Sequence, residues 1–276
     1  MTARAQRRAP RSRLDAELVR RGLARSREQA AELIGAGRVT VGGDVAAKAA
    51  TQVTRDAPIT LAGDEGGPDY VSRGGHKLAG ALAAFAGLAV AGRSCLDAGA
   101  STGGFTDVLL RAGAAHVVAA DVGYGQLAWP LRTDPRVTVL DRVNVRSLEP
   151  GQVTGPGGLP DLVVADLSFI SLALVLPALA RSAAADADFV LMVKPQFEVG
   201  KGRVGAGGVV RDPELRAEAV RAVAGAASDL GLGVRGVTAS PLLGPAGNVE
   251  YFVWLRHGAP PLDDRELLRA IAEGPE

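Results

Sequence analysis

An alternation of apolar runs with helical stretches, from Ser94 onward, is the feature that most constrains the fold. Short apolar runs separated by helical stretches are typical of an α/β domain with a mostly parallel sheet. Only a Gly–Pro-rich segment separates the final two runs, which favours an antiparallel pair at the end of the chain. The predicted strands lie at 94–98, 116–122, 137–141, 161–167, 188–194, 233–239 and 249–256.

The first sixty residues are basic, whereas the rest of the chain is mildly acidic. Residues 1–60 contain 12 Lys+Arg and 6 Asp+Glu, so they carry +6 and the remainder carries −5 of the total +1. A basic segment beside an acidic body indicates a polyanion-binding module attached to a domain with another task. The alternative is a solvated arginine-rich tail.

Two short helices followed by a hairpin are predicted after the N-terminal arm. A leucine stripe ends near Gly22, and Ser26 is a suitable N-cap for a second helix over 27–34. Alternating valines then precede a turn at Gly42-Gly43. This pattern, over residues 12–62, resembles the small α+β RNA-binding domain first seen in the fourth ribosomal protein of the small subunit.

That resemblance implies RNA binding through arginine side chains, because a guanidinium group can hold a phosphate with two hydrogen bonds. The arm at residues 1–11 is expected to be disordered until it meets a partner. The glycine-rich loop over 200–211 is expected either to close over RNA or to remain solvated. The candidate RNA-binding residues are Arg4, Arg7, Arg8, Arg11, Arg13, Arg20, Arg21, Arg25, Arg27, Arg73, Lys201 and Arg203.

A glycine-rich turn, Asp97-Ala-Gly-Ala-Ser-Thr-Gly-Gly-Phe105, follows the first strand of the α/β part and opens a helix. Glycines allow close approach of a ligand to the backbone, and a helix N-terminus offers free N–H groups. A dinucleotide-binding fingerprint would have glycine in place of Ser101. The turn resembles motif I of S-adenosylmethionine (SAM) dependent methyltransferases, and a tight turn without ligand is the alternative. The candidate cofactor-binding residues are Asp97, Gly99, Ser101, Thr102, Gly103, Phe105, Asp121, Val122, Asn144 and Asp166.

Four charged residues lie at predicted strand ends or helix starts: Lys77, Asp166, Lys194 and Glu250. In an open α/β sheet, ligands bind at the carboxyl ends of the strands. The four residues resemble the Lys-Asp-Lys-Glu tetrad of ribose 2′-O-methyltransferases. Taken singly, each has a structural alternative, namely a helix cap, a surface lysine or a charge at a strand edge.

The chemistry of a ribose hydroxyl accounts for these residue types. The hydroxyl is a poor nucleophile, and a nearby ammonium stabilises the alkoxide that develops as it reacts. We expect Lys194 to activate the hydroxyl, with Asp166 and Glu250 orienting Lys194 and Asp166 facing the sulfonium. We expect Lys77 to position the substrate ribose and its phosphate. Positions 167 and 168, directly after Asp166, are not proline, which argues against methylation of a base amine.

From about Arg13 to Leu255 the chain resembles the TlyA-type rRNA 2′-O-methyltransferases, also called haemolysin A-like proteins. The motifs with the strongest match include Tyr70-Val-Ser-Arg-Gly-Gly-His-Lys77, Asp166-Leu-Ser-Phe-Ile-Ser171 and Val193-Lys-Pro-Gln-Phe-Glu198. The resemblance implies a Rossmann-like fold, SAM as the cofactor, and methylation of a cytidine in large-subunit rRNA. For some members it also implies methylation of small-subunit rRNA.

The cysteine and histidine content and the length of the apolar runs predict which kinds of site the chain lacks, and the sequence pattern divides the chain into parts. The single Cys95 and three scattered histidines predict neither a disulfide framework nor a metal site. No apolar run reaches the ~18 residues of a membrane span. We expect a monomeric cytoplasmic protein, and the resemblance to the TlyA-type enzymes implies that it acts on rRNA within ribosomal subunits. The expected parts are a basic arm (1–11), an RNA-binding domain (12–62), a linker (63–73), a methyltransferase domain (74–258) and a tail (259–276).

Two other classes of function remain possible from the sequence. One is a non-catalytic RNA-binding or ribosome-assembly factor whose cofactor site has decayed, and the other is a membrane-active haemolysin. Among the aromatic residues, Trp129 and Trp254 are expected in the core. Tyr124 and Phe169 are the better candidates for stacking on a base.

Overall fold

The computed structural model describes residues 11–24, 26–55, 57–61 and 70–275, except for the side chains of Leu61 and Lys201. The chain forms two compact units, Met1–Asp69 and Tyr70–Glu276. Most of the predicted arm and linker therefore lies outside the described residues, as do Arg4, Arg7, Arg8 and Arg25.

The first unit is a small α+β domain, as predicted. Strand β1 pairs antiparallel with β4, and a second antiparallel sheet has the order β3-β2-β5. The predicted N-cap at Ser26 is present, since its Oγ accepts a hydrogen bond from the Gln29 amide at 3.1 Å. The elements are β1 (Arg11–Arg13), α1 (Leu14–Arg20), α2 (Arg27–Gly35), β2 (Val39–Val41), β3 (Asp44–Val45), β4 (Gln52–Thr54) and β5 (Ile59–Leu61).

Two buried acids on α1 organise the arginines of this unit. Asp15 accepts hydrogen bonds from Arg13 and Arg27, each with an N–O distance of 2.9 Å. Glu17 accepts hydrogen bonds from Arg20 and Arg21, each with an N–O distance of 2.8 Å. Hydrogen bonds from these guanidinium groups hold the pKa of both carboxyls well below their usual range.

The predicted RNA-binding arginines differ in their surroundings. Arg21 donates to the carbonyl of Ala57 at 2.7 Å and to that of Arg55 at 2.8 Å, so its guanidinium joins α1 to the segment after β4. The geometry therefore gives Arg21 a structural role. The side chains of the other three arginines that contact these acids are 45 to 59% exposed: Arg13, Arg20 and Arg27.

Replacing Arg21 should therefore affect stability, whereas replacing Arg20 should affect RNA affinity. We expect Arg21→Ala to lower the free energy of unfolding of the first unit by about 2 kcal/mol, because two carbonyl groups lose a charged donor. Arg20→Ala, the matched control, leaves Glu17 paired with Arg21 and removes no bond to the segment after β4, so it should cost less stability than Arg21→Ala and should weaken RNA binding. Hydrogen exchange in the full chain and RNA titrations at several salt concentrations measure the two effects. Equal loss of stability in both variants would contradict this assignment.

The second unit contains the predicted α/β sheet, with seven strands in the order β11-β12-β10-β9-β6-β7-β8. The antiparallel final pair is confirmed, since β12 runs antiparallel to both β10 and β11. The other neighbouring strands are parallel. The strands are β6 (Ser94–Ala98), β7 (His116–Asp121), β8 (Val137–Asp141), β9 (Leu162–Ala165), β10 (Asp188–Val193), β11 (Leu232–Ala239) and β12 (Tyr251–His257).

Helices cover both faces of this sheet. One hydrophobic cluster joins the sheet to α7, α9 and α10, and a second joins it to α3 and α4. The helices are α3 (Arg73–Ala84), α4 (Gly104–Arg111), α5 (Trp129–Arg132), α6 (Pro150–Val153), α7 (Leu172–Arg181), α8 (Pro195–Glu198), α9 (Pro213–Ser228) and α10 (Asp264–Ala272).

Three sequence expectations differ from the structure. The helix expected to begin near Lys77 begins at Arg73. The expected tail after residue 258 contains α10, because Leu267 and Ala270 form a buried stripe that packs within the second unit. Trp129, expected in the core, is 73% exposed, since the neighbouring leucines of its segment occupy the buried positions. Trp254 is buried as expected and donates to Asp188 at 2.7 Å.

Candidate active site

The glycine-rich turn joins β6 to α4 at the carboxyl edge of the sheet. Gly99 and Gly103 have φ of +86° and +100°, conformations that favour glycine. A Cβ atom built on Gly99 would lie 2.7 Å from the carbonyl oxygen of Asp166. The turn therefore packs directly against the end of β9, where one of the predicted catalytic residues lies.

Asp121 fixes the turn to the end of β7. One of its carboxylate oxygens accepts from the Ser101 amide at 2.9 Å, and the other accepts from the Gly123 amide at 2.7 Å. The predicted strand-end acid is thus in the expected place. Its oxygens retain lone pairs with which to accept hydrogen bonds from ribose hydroxyls.

Asp97 is a fully buried acid beneath the same turn. Its Oδ2 accepts from the Thr106 hydroxyl at 2.6 Å, whereas Oδ1 has no hydrogen-bond partner among the described residues. Burial raises the pKa of Asp97 to about 7, and the negative charges of Asp166 and Asp121 add to this shift. An acceptor that is buried and unpaired in this way suits a ligand that brings its own donor.

Some of the remaining predicted cofactor-binding residues lie in the glycine-rich turn or the helix that it opens, and the others lie after the neighbouring strands. Thr102 accepts from the Ala128 amide through its carbonyl at 3.1 Å, and Val122 is 73% exposed beyond β7. Phe105 packs into the core, with its ring 6.0 Å from that of Phe252. Asn144 caps a short 3₁₀ turn by accepting from the Arg146 amide at 3.0 Å. The side chain of Phe105 thus supports the turn from below.

These features fit SAM. A strand-end carboxylate suits the ribose hydroxyls of the cofactor. The buried acceptor of Asp97 and the positive-φ glycines suit a cationic ligand that approaches the backbone closely. Within the part of the chain that the structure describes, no group of three or more His, Cys, Asp or Glu residues is arranged to hold a metal ion.

The first half of the predicted tetrad lies where β9 and β10 end side by side. Lys194 follows β10, and its Nζ lies 2.6 Å from Oδ1 of Asp166, which follows β9. Lys194 also donates to the Ser168 hydroxyl at 2.9 Å. Sequence reasoning did not select Ser168, because a serine in a loop carries no signal of its own.

The second half of the tetrad is a separate ion pair. Nζ of Lys77, on α3, lies 2.5 Å from Oε2 of Glu250, which immediately precedes β12. Both side chains are buried, with exposed fractions of 6% and 1%. Glu250 was expected to orient Lys194, and the structure places it against Lys77 instead.

Asn248 is a further residue at this edge that the sequence did not single out. It is 1% exposed and holds the end of the 200–211 loop, accepting from the Val210 amide at 2.9 Å and donating to the Gly208 carbonyl at 2.8 Å. This loop follows Lys194 and α8, so Asn248 fixes it beside the start of β12.

Two of the three predicted RNA-binding residues of this unit have protein partners in the structure. Arg73 donates to the Leu243 carbonyl at 2.6 Å, and Arg203 pairs with Glu218 at 2.5 Å. The side chain of Lys201 lies outside the described part of the chain. Contact of Arg73 or Arg203 with RNA would therefore have to replace or share these bonds.

The two predicted stacking residues are both exposed. Phe169 is 91% exposed, has φ of +65°, and lies 5.4 Å from the ring of Phe197. Tyr124 is 67% exposed, and the guanidinium of Arg142 lies 4.5 Å from the centre of its ring. Exposed aromatic rings at a sheet edge suit unstacked bases.

The fold, the glycine-rich turn and the strand-end acid together define a SAM-dependent methyltransferase. Residues 70–257 match the FtsJ-like methyltransferase family and residues 12–59 match the S4 domain. The chain belongs to the FtsJ-like methyltransferase family and carries an N-terminal S4 domain. The expected Rossmann-like fold and RNA-binding domain are thus confirmed.

Relatives span most or nearly all of the chain, and the resemblance to TlyA-type enzymes is confirmed. A Mycobacterium tuberculosis protein named 16S/23S rRNA (cytidine-2′-O)-methyltransferase TlyA is 64% identical over 97% of this chain and 100% of its own length. Hemolysin A of Brachyspira hyodysenteriae is 36% identical over 87% of this chain and 97% of its own. A solved Streptococcus thermophilus structure described as a hemolysin has a TM-score of 0.76 at 39% identity, covering 96% of this chain and 95% of that one.

The contact between Gly99 and Asp166 predicts that the turn does not tolerate a side chain. We expect Gly99→Ala to abolish SAM binding, because the new methyl group would meet a backbone carbonyl at a positive φ. Gly225→Ala is the matched control, since Gly225 lies in α9 with open space around its Cβ position. Isothermal titration calorimetry measures the SAM affinity of both variants. SAM affinity equal to wild type in Gly99→Ala would contradict the role assigned to this contact.

The raised pKa of Asp97 predicts a pH dependence of both SAM binding and stability. Deprotonation through about pH 7 produces the anion that attracts a cationic cofactor, so SAM affinity should rise between pH 6 and 8. Because the folded-state pKa lies above the unfolded value, Asp97 contributes stability at low pH that is lost as the pH rises through 7.

Asp97→Asn provides the test. The variant should bind SAM weakly with a flat pH dependence, and at pH 8 the protein without SAM should melt at a higher temperature than wild type. Titration calorimetry and thermal unfolding at several pH values measure these effects. A wild-type pH profile for SAM binding in the variant would assign the titration to another group.

Proposed function

We propose that this chain transfers a methyl group from SAM to the ribose 2′-hydroxyl of a cytidine in ribosomal RNA. The observation that carries the proposal is the ion pair of Lys194 with Asp166 beside the glycine-rich turn. Asp166 joins the two regions, since its carboxylate contacts Lys194 and its carbonyl packs on Gly99. Bound SAM would supply the methyl group from its sulfonium and leave as S-adenosylhomocysteine, and the proton of the hydroxyl would pass to water.

Lys194 is the residue that we propose to act on the hydroxyl. Its side chain is 10% exposed, so little water competes for its ammonium. In such surroundings a preorganised positive charge stabilises a developing alkoxide more strongly than it does in water. Asp166, 26% exposed, holds the ammonium and is the carboxylate nearer to solvent.

Lys77 and Glu250 form the substrate-positioning half of the site in this proposal. Among the described residues, Oε1 of Glu250 has no hydrogen-bond partner, although the side chain is almost fully buried. An unpaired buried acceptor carries a desolvation cost, which a donor from the bound substrate would offset. A ribose hydroxyl is a donor of the right kind.

The S4 domain and the named relatives support rRNA as the substrate class. Arg13, Arg20 and Arg27 present half-exposed guanidinium groups that suit phosphates. The Mycobacterium tuberculosis relative is named for both 16S and 23S rRNA. We therefore propose a cytidine in each ribosomal subunit as the substrate, with the chain acting as a cytoplasmic monomer on assembled subunits.

The two rival functions are less well supported. A non-catalytic RNA-binding factor would not need the unpaired buried oxygen of Asp97 beneath the glycine-rich turn. Nor would it need the two ion pairs, Lys194 with Asp166 and Lys77 with Glu250. Among the described residues, no helix combines the length and apolar character that crossing a bilayer requires.

The proposal predicts which substitution stops methyl transfer. With tritiated SAM and unmethylated 30S and 50S subunits, wild type should label a ribose 2′-oxygen of cytidine, and Lys194→Ala should lower kcat by at least about 100-fold. Lys48→Ala, in the first unit, is a lysine control. SAM binding should survive in both variants.

Each alternative has its own outcome. Label on a base instead of a ribose would show amine or carbon methylation. Absence of transfer to either subunit with SAM bound would mean that the substrate assignment is wrong. Absence of SAM binding would favour the RNA-binding factor, and leakage of dye from vesicles would favour the haemolysin.

A further inference from the structure

We propose that Ser168 is a positioning residue for methyl transfer, which aims the Lys194 ammonium at the ribose oxygen. The inference rests on the function proposed above and deepens it. Asp166 and Ser168 lie two residues apart on the loop after β9, and both contact Nζ of Lys194, at 2.6 and 2.9 Å.

The number of N–H groups on the ammonium makes this arrangement directional. A lysine ammonium has three N–H donors on a flexible four-carbon stem. Within the described residues, Nζ of Lys194 forms an ion pair with Asp166 and donates a hydrogen bond to Ser168, which leaves at least one N–H for the substrate. A single contact would let the ammonium rotate about that contact, whereas an ion pair and a hydrogen bond from two directions restrict where the remaining N–H can point.

The loop that carries Ser168 is anchored at both ends. The Asp166 amide donates to the Ala98 carbonyl at 3.1 Å at one end. At the other, Glu198 of α8 accepts from the Ser171 hydroxyl at 2.6 Å and from the Leu172 amide at 2.9 Å. Since α8 begins directly after Lys194, Glu198 fixes the loop relative to the lysine that Ser168 contacts.

A hydroxyl suits this position better than a second carboxylate would. A hydroxyl accepts a hydrogen bond without adding negative charge, so it does not weaken the attraction between the ammonium and the developing alkoxide. One carboxylate and one hydroxyl therefore orient the lysine, and only one negative charge lies beside its ammonium.

The test compares Ser168→Ala, Ser168→Thr and the control Ser228→Ala on α9. The assay is methyl transfer from tritiated SAM to unmethylated ribosomal subunits with the full chain. We expect Ser168→Ala to lower kcat by about 10- to 100-fold, the effect of losing one hydrogen bond to a charged group. KM for the subunits and the affinity for SAM should stay at wild-type values, and Ser168→Thr, which keeps the hydroxyl, should recover most of kcat.

The kcat–KM split separates the outcomes. Wild-type kcat in Ser168→Ala would overturn the inference. A raised KM with unchanged kcat would overturn it in favour of direct RNA contact, and a weaker affinity for SAM would overturn it in favour of a structural role. If wild type itself transferred no methyl group, the proposed function would fail and the inference would fall with it.

Discussion

The hydrogen-bonded register between β6 and β9 is the constraint on which the site depends. Ala98 pairs with Ala165, so the residues that follow, Gly99 and Asp166, leave the sheet at the same level and in contact. Gly99 belongs to the glycine-rich turn, and Asp166 contacts Lys194, the lysine that we propose to act on the hydroxyl. A shift of one residue in this register would turn the Asp166 side chain to the other face of the sheet.

The same edge also explains why the four charged residues are held as two pairs. Neighbouring strands β9 and β10 bring Asp166 and Lys194 together, whereas Glu250 enters from the antiparallel strand β12 and meets Lys77 on α3. The more exposed pair borders the cofactor turn, and the other is almost fully buried. This separation suits a division of labour, with one pair for the chemistry and one for substrate positioning.

Much of the fold could be predicted from the sequence, because β-branched apolar runs mark buried strands and fix which residues lie at their ends. The start of α3 could not, since Gly74-Gly75 resembles a helix breaker. Gly75 is needed there because a Cβ would meet Tyr70 at 2.5 Å. Nor does sequence separation show which charges meet across strands, so the partner of Glu250 and the contact of Ser168 emerge only from the structure. Trp129 was placed in the core by its residue type, whereas its position at the start of a short helix decides its exposure.

A double-mutant cycle on kcat tests most directly whether the tetrad works as two ion pairs. The variants are Lys194→Met, Asp166→Asn, Lys77→Met and Glu250→Gln, singly and in pairs. The account predicts strong coupling between Lys194 and Asp166 and between Lys77 and Glu250, so that the second change within a pair adds little. Across pairs the losses should multiply. Stronger coupling of Glu250 to Lys194 than to Lys77 would contradict the account.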